Sequence, residues 1–96
     1  MLYEQEFINY ISHEKRFSKH TVAAYQNDLQ QFFNYLKHIY SIENISEANH
    51  LLIRSWVVSL MEQGLTARSV NRKITTLKTY YKFLRKENIF RSLLLF

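Results

Sequence analysis

Ser18-Lys19-His20-Thr21-Val22-Ala23-Ala24-Tyr25-Gln26-Asn27-Asp28-Leu29-Gln30-Gln31-Phe32-Phe33-Asn34-Tyr35-Leu36 is the stretch that decides the fold class. Val22, Tyr25, Leu29, Phe32, Phe33 and Leu36 recur at steps of three and four, the period of a helix face. Asn27, Gln31 and Asn34 fall on the opposite side, so the spacing predicts an amphipathic helix from Lys19 to about His38. Ser18 stands where a side-chain oxygen caps the first turn. Asp28, an acid in this helix, reads as structural, a partner for a base on the fourth helix.

Working outward, three more helices are expected. The first runs from Leu2 to Lys15, with Phe7, Ile8 and Ile11 as its stripe and Tyr3 and Tyr10 on its flanks. After a linker in which Ile42 and Ile45 tack onto the core, Ser46 caps a third helix reaching about Gln63. Its buried stripe is Ile53, Trp56, Val57, Leu60 and Met61. Gly64 is the only glycine and sits where helices commonly end in a left-handed residue. Thr66 caps the fourth helix, Ala67 to about Asn88, with Val70, Ile74, Leu77, Tyr81 and Leu84 inward. At about 100° per residue, Arg68, Arg72, Thr75, Thr79, Lys82 and Lys86 gather on its far side. The expected core joins Phe7, Ile11, Val22, Leu29, Phe33, Leu36, Trp56, Leu60, Ile74, Leu77 and Leu84.

Composition fits this reading. The 96 residues suit one domain, and an apolar fraction of 47 % supplies a core. Proline is absent, so the chain has few means of making tight β-turns. The lack of cysteine excludes a disulfide scaffold and a Cys-ligated zinc site. No apolar run approaches the ~20 residues of a membrane span. MLYEQEFINY has no basic n-region and is not expected to be a signal peptide; a cytoplasmic protein is the natural expectation.

The net charge of +5 conceals an asymmetry. Before Thr66, five bases face seven acids; from Thr66 onward, eight bases face Glu87 alone. A positive field confined to one segment suggests a polyanion partner, and a solvated lysine-rich face is the alternative.

Ser18, Thr21, Tyr25, Asp28, Leu29 and Phe32, followed by Leu36, resemble the opening signature of the core-binding domain of tyrosine recombinases. Gly64-Leu65-Thr66 with Ser69, Arg72, Ile74, Leu77, Lys78, Tyr81, Phe83 and Leu84 is similar to that family's later stretch, closest to its Xer-type and phage-integrase branches. The resemblance implies an all-α, four-helix SAM-like orthogonal bundle over residues 1–88, with 89–96 as the start of a linker or a C-terminal tail. It implies a domain that grips double-stranded DNA at a recombination site. Its other partners would be fellow recombinase protomers and a catalytic domain that this chain lacks. The second and fourth helices would face the major groove. Carried over, the contacts would come from Ser18, Lys19, Thr21 and Tyr25, and from Arg68, Ser69, Arg72 and Lys73. Helix N-termini and hydroxyls suit phosphates, and arginine suits a phosphate or a guanine edge. The family's catalytic Arg, Lys, His and nucleophilic Tyr belong to the other domain, so no catalytic residue, no metal and no cofactor is expected here. The chain departs from the family in lacking an Asn-Pro linker, ending instead Phe90-Arg91-Ser92-Leu93-Leu94-Leu95-Phe96.

Tyr25, Tyr80 and Tyr81 read as core or core-edge residues with hydroxyls reaching the surface, not as nucleophiles. His13, His20, His38 and His50 have no ligand spacing; His20 is either a solvated side chain or a neighbour of a phosphate. Trp56 reads as core. Phe83 falls toward the polar side of its helix and is expected to pack on the second helix or on an absent domain. Arg72 is the single residue most expected to meet DNA; otherwise it covers apolar surface. Two other functions stay open: a helical protein-interaction adaptor, whose binding would ignore salt, and a free-standing DNA-binding regulator built on the short Gln63-Gly64-Leu65 turn.

Overall fold

The computed structural model describes residues 3–41 and 50–86, and all its regular structure there is helical. Four helical segments follow one another: α1, Glu4–Asn9, running directly into a π-helical turn over Tyr10–Glu14; α2, Lys19–Tyr40; α3, His50–Glu62; and α4, Ala67–Lys86. The all-α bundle expected from the sequence is therefore present. The expected cap at Ser46, the linker and the terminal run after Lys86 lie outside the described residues.

The helix ends follow their local chemistry. Ser18 has an extended backbone and its Oγ accepts from the Thr21 N–H at 3.2 Å. Thr66 Oγ1 accepts from the Ser69 N–H at 3.2 Å. Each removes one of the orphan donors of a first turn. Gly64 has φ +90°. Around it the Leu65 N–H donates to the Leu60 carbonyl at 3.2 Å and the Gly64 N–H to the Met61 carbonyl at 3.0 Å. Those two bonds form a Schellman ending, with partly buried Leu65 against the core. The first helical segment also ends on a left-handed residue, Arg16 with φ 55°, but its closing bond, from the Phe17 N–H to the Ile11 carbonyl at 2.9 Å, is one residue wider, in keeping with the π turn before it.

One core holds the bundle together. Phe7, Ile11, Leu29, Leu36, Trp56, Leu60, Leu77 and Leu84 are buried as expected, joined by Tyr25, Phe32, Ile53, Val70, Tyr80, Tyr81 and Phe83. Val22, Phe33 and Ile74 are only partly buried and pack on its edge. Met61, expected inside, is 62 % exposed, because α3 meets the other helices along Ile53, Trp56 and Leu60 and Met61 is turned off that line.

Three further expectations change. The first segment is not a plain α-helix to Lys15: the Lys15 N–H donates to the Tyr10 carbonyl at 3.1 Å, the i→i+5 bond of a π turn. Phe83 packs on the first segment, a neighbour not singled out from the sequence, 5.5 Å from the Phe7 ring and 5.0 Å from Tyr10 between centroids. Tyr80 is fully enclosed, and the Tyr81 hydroxyl is buried with no hydrogen-bond partner among the described residues, so neither reaches the surface. Burial pushes both phenols well above their ordinary pKa. α4 thus buries far more than one stripe, since α1, α2 and α3 all pack around it.

Candidate nucleic-acid interface

Asp28 organises the site. It sits on the inner face of α2 between Tyr25 and Phe32 and is 0 % exposed. A carboxylate there must be fully hydrogen-bonded to be tolerated, and among the described residues α4 supplies every partner. Arg72 Nε donates to Oδ2 at 3.1 Å and Arg72 Nη2 to Oδ1 at 2.7 Å. Lys73 Nζ donates to Oδ1 at 2.9 Å and the Thr76 hydroxyl to Oδ2 at 2.9 Å. Lys73 Nζ also donates to Gln31 Oε1 at 2.7 Å. The expectation that Asp28 pairs with a base of the fourth helix holds, with two bases in place of one.

The two bases differ in what they leave free. Lys73 is buried, with its ammonium turned inward to Asp28 and Gln31. The Arg72 side chain is 46 % exposed. Its Nε and one Nη2 proton engage Asp28, so the edge between Nη1 and Nη2 points away from the carboxylate. A guanidinium has five donors in a fixed fork. Fixing one edge leaves a second, planar edge that matches a phosphate or the O6/N7 pair of guanine. The hydrogen bonds to Asp28 hold the Arg72 pKa above its ordinary value, so its charge is permanent. Two cations on one carboxylate leave the cluster with a net positive charge.

The other expected contact residues divide into three groups. Ser18, Lys19 and Thr21 are at the start of α2, with the Ser18 and Thr21 hydroxyls 3.0 Å apart. They stand roughly 10–15 Å along the helix from Asp28, given its rise of about 1.5 Å per residue. Tyr25 is buried, its ring 5.3 Å from Phe17 and near enough to Arg72 to act on its charge. Arg68 and Ser69 are in the first turn of α4, where Ser69 Oγ accepts from Thr66 Oγ1 at 3.2 Å. The structure therefore brings Tyr25, Arg72 and Lys73 together around Asp28. Among the described residues, no hydrogen bond or ion pair joins the start of α2 to the start of α4.

Sequence reasoning missed Gln31 and Thr76 as parts of this cluster. Thr76 carried a signal, being a hydroxyl four residues after Arg72 on the side of α4 that meets α2. Gln31 carried none, because its backbone position reads as the solvent side of α2.

The sequence of these helices matches a known pattern. Residues 5–88 fit the family profile described as phage integrase, N-terminal SAM-like domain. The chain is 44 % identical over 89 residues to a tyrosine recombinase XerD of Rickettsia bellii (strain RML369-C), covering 92 % of this chain and 28 % of that protein. It is 40 % identical over 86 residues to a tyrosine recombinase XerC of Oceanobacillus iheyensis, covering 90 % of this chain and 28 % of the relative. The chain thus spans little more than a quarter of the length of these relatives. No solved structure matches it. By the extent of the profile match, the chain belongs to the phage integrase N-terminal SAM-like domain family.

Proposed function

We propose that this chain is the DNA-gripping domain of a site-specific tyrosine recombinase, acting in the cytoplasm on double-stranded DNA. The observation that carries the reading is the Arg72 guanidinium, clamped by Asp28 on one edge and open on the other. The similarity to proteins named tyrosine recombinases supports it, and so does the concentration of bases from Thr66 onward. Ser18, Lys19, Thr21, Arg68 and Ser69 would hold the phosphates and set the register. Arg72 would meet either a phosphate or a base. Lys73 contributes from behind by keeping Asp28 in place, and Tyr25 would add its contact from the edge of the core. Strand cleavage is assigned to a domain beyond this chain, and fellow protomers are the natural protein partners.

The test is a titration of wild type, Arg72→Ala and Lys86→Ala against a recombination-site duplex and a random duplex at two salt concentrations. Arg72→Ala should cost about 1–3 kcal/mol on the site duplex and relax sequence preference if Arg72 reads a base. Lys86→Ala should weaken binding little, and equally on both duplexes. Wild-type affinity for Arg72→Ala on both duplexes at both salts would sink the reading. A helical adaptor would then lead, because Leu51, Val58 and Met61 line one exposed apolar face of α3. Its binding would be insensitive to salt.

A further inference from the structure

Thr76 lies in the middle of α4, fully enclosed, at a position where valine would have the same shape and bury no polar group. A buried hydroxyl is tolerated when it has a partner, and this one reaches across to α2. Its one proton is shared between Asp28 Oδ2 at 2.9 Å and the Arg72 carbonyl, one turn back on its own helix, at 3.1 Å. The second contact holds the side chain in a helical rotamer that aims the hydroxyl at the carboxylate. Thr75 and Thr79 on the same helix donate to carbonyls of α4 at 3.0 and 2.9 Å. Of these threonines, Thr76 is the one whose hydroxyl, among the described residues, also bonds to another helix.

We infer that Thr76 is a positioning residue for Arg72: by holding Asp28 Oδ2 it fixes the plane of the carboxylate, and that plane fixes where the open edge of the guanidinium points. The torsion that sets the plane is broad for aspartate, so the partners must set it. A carboxylate offers about four lone-pair directions. The Arg72 fork takes one on each oxygen, through Nη2 at 2.7 Å and Nε at 3.1 Å. Lys73 takes the second on Oδ1 and Thr76 the second on Oδ2, each at 2.9 Å. The carboxylate is therefore gripped at both oxygens by buried groups other than Arg72. Without the Thr76 hydroxyl, Oδ2 keeps among the described residues only the Nε bond, the longest of those to the carboxylate. The carboxylate can then turn about its Cβ–Cγ bond while Lys73 still holds Oδ1. The half-exposed guanidinium then exchanges its Nε contact for water and hangs by Nη2. A tie serving stability alone could fall on either oxygen. This one falls on the oxygen that meets Nε, and the Nε bond decides whether Arg72 docks in one plane or swivels. Asp28 supplies the acceptors, and Thr76 supplies their orientation.

The consequence for DNA rests on the reading proposed above, whereas the orientation of Arg72 does not, and the experiment measures both. Exchange of the Arg72 Nε–H with water is followed by nitrogen-15 NMR. Kd for a 30-base-pair random duplex is measured by fluorescence anisotropy at 50 mM salt. The proteins are the wild-type chain, T76V, T76S, R72A and R72A/T76V. In T76V the Nε–H should exchange about tenfold faster, the scale of one hydrogen bond to a charged group. The duplex should bind roughly 2- to 10-fold more weakly, because a loosened arginine has to be ordered on binding. T76S restores the hydroxyl without the methyl and should return both values to within about threefold of wild type. In the R72A background T76V should add nothing, since its effect runs through Arg72. Unchanged Nε–H exchange in T76V would overturn the inference, and so would T76S behaving as T76V does. If T76V weakens binding as much without Arg72 as with it, the hydroxyl acts elsewhere and the inference falls. If R72A is weakened while T76V binds like wild type, Arg72 meets DNA without help from Thr76, so the inference falls and the DNA-binding reading survives. R72A binding like wild type would sink the DNA-binding reading and, with it, any role of Thr76 in binding. Should T76V not fold, T76A removes the same hydroxyl with the residue of best helix propensity, and the same outcomes decide.

Discussion

Arg72 and Lys73 near the start of α4 and Lys82, Arg85 and Lys86 near its end are the same kinds of residue on one helix, in opposite physical states. The first pair is locked to a buried carboxylate with bonds of 2.7–3.1 Å. The second group faces a groove and meets one distant, exposed carboxylate at 3.8 Å. A buried charge must be paired and hydrogen-bonded to exist, whereas an exposed one is stabilised by water. So the start of α4 buys orientation with desolvation, and its end keeps its charge available at little cost. On the DNA-binding reading proposed above, recognition by geometry and attraction by field would be separated along about 20 Å of one helix.

Breaking the buried half should have the largest effect. Asp28→Ala leaves Lys73 buried without its carboxylate and frees the clamped edge of Arg72, and should cost about 3–5 kcal/mol of stability. Urea unfolding with Leu29→Ala as a neighbour gives the scale. Leu29 is fully buried beside Asp28, and its truncation should cost about 2–5 kcal/mol through lost apolar contact and a cavity. If Asp28→Ala costs less than about 1 kcal/mol while Leu29→Ala behaves as expected, the carboxylate is not holding the two bases. A loss under roughly 0.5 kcal/mol for Leu29→Ala would instead show that the face of α2 is misassigned.

Much of this difference could be read from residue order. Ser18 and Thr66 cap because a hydroxyl before an apolar period has one local use, and Gly64 ends α3 because its φ suits no other residue well. Asp28 was legible as a paired acid because a carboxylate is out of place on a helix that the resemblance turns toward DNA. Periodicity could not say which α4 cation turns inward, since that depends on how closely α2 approaches. Lys73, adjacent to Arg72, went to the buried side, where its ammonium meets Asp28 and Gln31. Nor could it show the π turn, where one shifted hydrogen bond at Tyr10 alters the facing of residues without altering their spacing in sequence. Phe83 was misplaced for a related reason: a wheel assumes a single neighbour, and α4 has three.

A smaller effect sharpens the same contrast between satisfied and unsatisfied buried polarity. Among the described residues the buried Tyr81 hydroxyl has no hydrogen-bond partner, unlike the oxygens of Asp28. Tyr81→Phe should therefore be neutral, or stabilising by up to about 1 kcal/mol, near pH 7. The pH dependence has a definite sign. Burial raises the phenol pKa values of Tyr80 and Tyr81 in the folded chain, so the unfolded chain releases those protons first. Stability should be complete below about pH 10, the ordinary tyrosine pKa, and fall as pH rises beyond it toward the folded values. Tyr81→Phe should make that alkaline loss shallower in a series of urea midpoints from pH 8 to 11. An unchanged alkaline slope in the variant would mean that Tyr81 is hydrated in the folded state.

The smallest effect belongs to the exposed half. Among the described residues Lys86 has two interactions, the 3.8 Å approach to Glu14 and the 5.0 Å stacking over Tyr10. Both side chains of the ion pair are more than half exposed, so water screens the attraction and chain entropy offsets it. The stacking contributes little at an exposed site. Removing Lys86 also relieves its repulsion with Lys82, four residues earlier, which acts in the opposite direction. These terms nearly cancel, and Lys86→Ala should change stability by less than about 0.5 kcal/mol in urea unfolding. The result should be the same at 50 and 500 mM salt, because neither contribution is large enough for screening to expose. A loss above about 1 kcal/mol would show that the groove cations are fastened into the fold as Arg72 and Lys73 are. The two ends of α4 would then be alike, and the charge at its far end would be holding the first segment in place instead of standing ready for an anion.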